Sequence, residues 1–149
     1  MTKTILLVAF LLAMITFSKA QNYKTAVGVR LGPNTAAVTG GFTVKHFINE
    51  NTALEGITGV NNGLGICGLY EKHFNIEAVN NLQWFVGFGG YVAFNNNNTL
   101  IGGAGIVGLD YKFEEIPLNI SLDWKPELNI ISTVNFQLSG VGLSARFTF

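Results

Sequence analysis

The sequence predicts an all-β fold: a closed eight-stranded antiparallel up-and-down transmembrane β-barrel. Three observations predict it. Asn/Gly/Pro clusters recur at regular intervals after residue 20; apolar and polar residues alternate between them; and the charges fall almost entirely on one of the two faces so created. A period of two sends successive side chains to opposite sides of a strand. No segment between the clusters sustains a helical period.

Residues 1–20 read as a cleaved secretory signal peptide. Lys3 supplies the positive start, Ile5 to Phe17 an apolar stretch of thirteen residues, and Ser18-Lys19-Ala20 the small-residue cleavage site. Thirteen falls short of the roughly 20 residues of a membrane helix. The residue directly after Ala20 is Gln21 and not Cys, which argues against a lipoprotein. Residues 21–149 then form one barrel domain, with seven Lys/Arg against nine Asp/Glu, a net charge of −2. Such a balance argues against a nucleic-acid partner, which needs a basic face. Cys67 is alone, so no internal disulfide can form, and it is expected to be a small buried hydrophobe.

The turn clusters are Gly32-Pro33-Asn34-Thr35, Asn49-Glu50-Asn51, Asn61-Asn62-Gly63, 75–81, 95–99, 114–117 and Ser132-Thr133. Their residues supply turn geometry. Seven connections imply strands near 22–31, 36–48, 52–60, 64–74, 82–94, 100–113, 118–131 and 135–149. Most reach the roughly 9–11 residues of a tilted membrane strand.

Alternation within these strands is clear. Strand five sets Leu82, Trp84, Val86, Phe88, Val92 and Phe94 against Gln83, Phe85, Gly87, Gly89, Tyr91 and Ala93. Strand seven sets Leu118, Ile120, Leu122 and Trp124 against Asn119, Ser121, Asp123 and Lys125. Lys24, Arg30, Lys45, Lys112, Lys125 and Arg146 fall on polar faces with Glu55, Glu71, Asp110, Glu114, Asp123 and Glu127. Lys72 alone lands on the apolar face, near a strand end where its stem can snorkel. A charge on a lipid face near the midplane costs about 2–4 kcal/mol for Arg or Lys. The apolar face is therefore expected to meet lipid, and the charges to form an ionic network in the lumen.

A periplasmic lipocalin-like calyx for lipid would reverse the faces. Against it stand the bulk of Trp84, Trp124 and many Phe on the apolar face, and the small Gly28, Gly41, Gly87, Gly89, Gly102, Gly108 and Gly142 on the other. Tyr23, Phe74, Trp84, Tyr111, Phe113, Phe147 and Phe149 also gather near one rim, as an aromatic girdle would. An even strand number puts both termini on one side, expected to be periplasmic; the outer connections would then be 32–35, 61–63, 95–99 and 132–134, which are short, a departure from the usual long outer loops.

Gly105 to Pro126, the ending Ala145-Arg-Phe-Thr-Phe149, Tyr70 to Phe74 and Trp84 to Gly90 resemble a group of small outer-membrane β-barrel proteins common in Bacteroidota. The resemblance implies a barrel of OmpX and OmpA-membrane-domain architecture in a Gram-negative outer membrane, and no established activity. Val141, Leu143, Phe147 and Phe149 resemble the C-terminal signal read by the outer-membrane assembly machinery, although Ser144 stands where that pattern has Gly.

No constellation for chemistry emerges. Gly103 to Gly108 spells GxGxxG, but a dinucleotide site needs a helix after it, and strand alternation continues there to Phe113. His46 and His73 face opposite ways, short of the converging ligands a metal needs. No nucleophile–base pair stands beside either His, so neither an enzyme nor a cofactor is expected. The lumen charges Arg30, Lys45, Glu55, Glu71, Asp110, Lys112, Glu114, Asp123, Lys125, Glu127 and Arg146 can form a conduit or a plug. Eight strands leave room only for side chains, which favours the plug. Lys45, Lys112 and Arg146 are expected to pair with Glu55, Glu71, Asp110 and Glu114. The expected role is structural or interactive within the envelope, with membrane lipids as partners; a narrow transporter for small or apolar solutes is the alternative.

Overall fold

The computed structural model describes residues 23–33, 37–38, 40–59, 63–95, 97–131, 134–138 and 140–149. The expected leader, 1–20, and parts of the outer turns lie outside these residues. The strands are β1 (Thr25–Leu31), β2 (Gly41–Asn49), β3 (Thr52–Gly59), β4 (Leu64–Asn75), β5 (Leu82–Asn95) and β6 (Asn98–Lys112). The last two staves are each in two pieces: β7a (Leu118–Trp124) with β7b (Glu127–Asn129), and β8a (Asn135–Gln137) with β8b (Val141–Thr148). Neighbours in sequence pair antiparallel, and β8b returns to β1, Ala26 facing Thr148 and Leu31 facing Leu143. That closes eight staves into a barrel without an open edge.

The breaks have local causes. Pro126 has no N–H to give the ladder, yet its carbonyl accepts from Gly105 N at 3.0 Å, so the stave continues past it. In the eighth stave Trp124 faces Val141 while Glu127 faces Gln137, so three steps on one strand oppose four on the other. This one-residue bulge inverts the facing of β8a, and Phe136 points outward, 60% exposed. The β5–β6 strands run further than the turn cluster suggests: Asn95 pairs with Asn98, and Asn97 takes a left-handed φ of 75° that Asn tolerates.

The faces are unambiguous. Trp84, Trp124 and Phe147 are 40%, 41% and 47% exposed, whereas Asp123 and Arg146 are 3% and 1%. The apolar row is the exterior and the ionic row the interior, which is the reverse of a calyx. Inward glycines make room for the largest lumen side chains. A Cβ at Gly142 would fall on the Arg30 guanidinium, one at Gly108 on the Phe85 ring, and one at Gly102 on the Tyr91 hydroxyl. Of the GxGxxG glycines, however, only Gly108 serves the lumen. Gly103 faces outward, and it ends a row in which Gly56 opposes Gly68, Gly68 opposes Gly90 and Gly90 opposes Gly103.

Two expectations need correcting here. β2 starts at Gly41, not near residue 36, because Ala37 and Val38 fold into the mouth of the barrel away from Phe149. Tyr23 does not join an outward aromatic belt. Its ring lies edge-on to Phe47 at 5.2 Å, and its hydroxyl donates to Asp110 Oδ2 at 3.0 Å, drawn inward by a buried acceptor. Phe74 and Trp84 stack at 4.5 Å, and Tyr111 meets Phe113 edge-on at 5.0 Å.

Candidate functional site

Among the described residues, buried charge is concentrated in the interior of the barrel. Period-two alternation on seven different strands delivers Arg30, Lys45, Glu55, Glu71, Asp110, Asp123 and Arg146 to the lumen, joined by Lys125 and Glu127 around the Pro126 break, all 3% exposed or less. Charges so far from water are tolerated only when paired and hydrogen-bonded. Closure of the sheet supplies the partners.

The outer group is two ion pairs. Arg30 grips Asp123 with two nitrogens, Nη2 to Oδ1 at 2.5 Å and Nε to Oδ2 at 3.1 Å, and Nη2 also donates to the Gly140 carbonyl at 3.1 Å. A two-pronged guanidinium–carboxylate pair fixes orientation as well as charge. Lys125 pairs with Glu127. The Glu127 carboxylate further accepts the backbone N–H of Ala37 at 2.7 Å and of Val38 at 3.3 Å, which holds that loop in the mouth. Val38 is fully buried there, its methyls against Gly65 and Gly59, where a Cβ would crowd them.

The group nearer the termini is larger. Arg146 pairs with Glu55 and donates to Thr43 Oγ1 at 3.3 Å, Asn119 Oδ1 at 3.2 Å and Ser121 Oγ at 2.7 Å. Lys45 Nζ lies 2.8 Å from Glu71 Oε2, 3.7 Å from Glu55 Oε2 and 3.8 Å from Asp110 Oδ1, and 4.2 Å above the Phe85 ring. Asp110 Oδ2 accepts from Tyr23 and, at 2.8 Å, from Asn119 Nδ2. His73 Nε2 meets Glu71 Oε2 at 3.0 Å. Beneath these groups the rings of Phe47, His73 and Phe85 pack in sequence, 4.8 Å and 5.0 Å between centroids, as a floor. On the β3–β6 wall the lumen is apolar instead, with Ile57, Cys67, Leu69, Tyr91 and Ile106 buried together.

The fold is that of the N-terminal β-barrel domain of Pseudomonas aeruginosa OprF. The two superpose with a TM-score of 0.61 over 88% of this chain and 100% of the OprF domain, at 17% identity. At that identity the likeness to OprF is one of fold. The whole OprF domain lies within the match, so it is the closed barrel that is shared and not one hairpin of it. No protein family and no curated protein matches the sequence.

Not every charge on a polar face reaches the network. Lys112 gives its ammonium to the carbonyls of Phe113 at 2.5 Å and Ile116 at 3.1 Å, and Glu114 is exposed and accepts from Asn81 at 2.9 Å. Both lie at the rim, beyond the aromatic floor, so the expected pairing of Lys112 and Glu114 within the lumen is corrected. They line a rim cavity of about 650 Å³ with Ile76, Val79, Asn81 and Phe113. Lys72 does sit on the outer face, donating to Thr52 Oγ1 at 3.2 Å. His46 is half-buried with its Nδ1 2.8 Å from Thr25 Oγ1, and His73 is inside, so the histidines do not converge. The uncharged members Thr43, Asn119, Ser121 and Tyr23 are not among the network residues expected from sequence. The first three share the parity of the charged residues, which is the signal that finds them.

Proposed function

We propose that this protein is a small outer-membrane barrel of a Gram-negative envelope, with a closed lumen and a structural or interaction role. One observation carries the reading: a wall whose outward side chains are predominantly apolar from Val27 to Phe147, with Lys72 the charged exception on its strands, encloses an interior of paired ions. Exposed apolar surface of that extent and regularity has lipid as its natural solvent. Membrane lipids are then the constant partners. The first described residue, Tyr23, and Phe149 lie at the end that carries Phe74, Trp84, Tyr111 and Phe113, and that end is read as the periplasmic one. Val141, Leu143, Phe147 and Phe149 stand outward on the last strand, where the assembly machinery of the outer membrane can read them.

The filled lumen favours a plug over a conduit. Arg30–Asp123, the Val38 insert, the buried apolar side chains of the β3–β6 wall and the Phe47–His73–Phe85 floor together fill the lumen, and an ion would have to displace them. Two measurements test the proposal. Detergent-extracted protein from the outer-membrane fraction should migrate differently on a gel before and after boiling, and in planar bilayers it should pass no steady current. Recovery in the soluble periplasmic fraction would overturn the membrane placement; steady conductance at every pH would overturn the plug in favour of a narrow pore.

A further inference from the structure

The two lumen groups differ in charge balance. In the outer group Arg30 answers Asp123 and Lys125 answers Glu127, and nothing is left over. In the group nearer the termini, two cations, Lys45 and Arg146, face three carboxylates, Glu55, Glu71 and Asp110. All five side chains are buried. An unanswered charge in such a place is costly enough that the group takes up a compensating ion or a proton instead.

The hydrogen bonds indicate where. Glu55 Oε1 receives Arg146 and, at 2.5 Å, the Thr43 hydroxyl. Asp110 Oδ2 receives the Tyr23 hydroxyl and the Asn119 amide. Both are held as acceptors by two donors that have no better use. Glu71 is different. Each of the three carboxylates has one oxygen that receives no hydrogen bond from the described residues, Glu55 Oε2, Asp110 Oδ1 and Glu71 Oε1, but the other oxygen of Glu71 meets only the Lys45 ammonium and the His73 ring. His73 Nε2 either donates or accepts, according to tautomer. The centre of the carboxylates is already occupied by the Lys45 ammonium, so a metal ion has no place there. A proton does.

We propose that Glu71, in its hydrogen bond with His73, binds one proton and stands as an un-ionised carboxylic acid in the folded barrel, bringing the buried group to neutrality. The neutral acid beside a neutral imidazole buries fewer charges than a carboxylate beside an imidazolium. Every ionisable group among the described residues that faces the pair enters this balance: Lys45 from β2, Glu55 from β3, Asp110 from β6, Arg146 from β8b, and Tyr23 ahead of β1; the facing residue of β5 is Phe85, without charge. The proposal concerns the charge balance of the lumen and stands whether or not the lumen conducts.

Infrared spectroscopy of the folded protein in detergent at neutral pH tests it. The carbonyl stretch of an un-ionised carboxylic acid should be present, should shift on carbon-13 labelling of glutamate and not of aspartate, and should vanish in Glu71→Gln while persisting in Asp110→Asn. The folded chain then keeps a proton that the unfolded chain releases above the ordinary carboxylate range, so raising the pH favours unfolding, by up to tenfold in the folding constant per pH unit. Glu71→Gln should lack that component of the slope. Absence of the acid band in the wild type, its survival in Glu71→Gln, or identical pH slopes in the two proteins would overturn the proposal. If Glu71→Gln does not fold, the labelled wild-type spectra decide alone.

Discussion

Removing Arg146 is the most informative single perturbation. Its guanidinium is 1% exposed and holds Glu55 directly, with further donations to Thr43, Asn119 and Ser121, side chains from β2, β3 and β7a. Arg146→Met keeps much of the volume and leaves the Glu55 carboxylate buried with only Thr43 as a close donor and Lys45 at 3.7 Å. Breaking one side of a buried pair costs about 3–5 kcal/mol, because the remaining charge is uncompensated. At about 1.4 kcal/mol per factor of ten, the folding constant should fall between roughly a hundredfold and a few thousandfold. Replacing both partners, Arg146→Met with Glu55→Leu, removes the stranded charge and should recover at least half of the loss. Urea titration in lipid vesicles, followed by the fluorescence of Trp84 and Trp124 and by gel mobility, measures all three proteins. Lys24→Gln, on an exposed side chain, is the control and should stay within about 0.5 kcal/mol of the wild type. An Arg146→Met protein as stable as that control, or a double variant no better than the single, would refute the account of the lumen as a set of mutually dependent ions.

Other consequences can be checked independently. Glu127→Gln weakens the hold on Ala37 and Val38, two donations to a carboxylate worth about 1.5–3 kcal/mol each, and amide exchange should accelerate at those two residues while β4 and β5 stay protected. Phe88, 69% exposed near the middle of β5, points outward; under the proposed membrane placement Phe88→Arg should cost about 2–4 kcal/mol in vesicles, and a neutral outcome would speak for a water-facing exterior. Trp84 and Trp124 should be quenched by lipids brominated on their acyl chains and little by aqueous acrylamide. Gly142→Leu drives a side chain into the Arg30 guanidinium and should destabilise by about 1–3 kcal/mol, read from the same urea titration.

Much of this was legible in the chain. A period of two assigns each residue to a face without any knowledge of its neighbours, and Asn/Gly turns mark where the strands reverse. That sufficed for eight staves, for Trp84 opposite in facing to Asp110, and for Cys67 as a buried small residue. Parity also contained Thr43, Asn119 and Ser121, which stand beside the charges they serve. It could not place residues along the axis: Lys112 and Glu114 have the right facing but lie beyond the floor set by Phe47 and His73.

What only the tertiary structure decided is who meets whom. Glu127 captures the amides of residues 37 and 38, some ninety positions away, and so delays the start of β2. Asp110 turns Tyr23 inward across 87 residues, and a bulge that no single strand announces turns Phe136 outward. The alternating pattern of one strand is a local property, set by its own backbone. Pairing across a lumen depends on the curvature and stagger of the whole closed sheet, and those exist only once β8b has found β1.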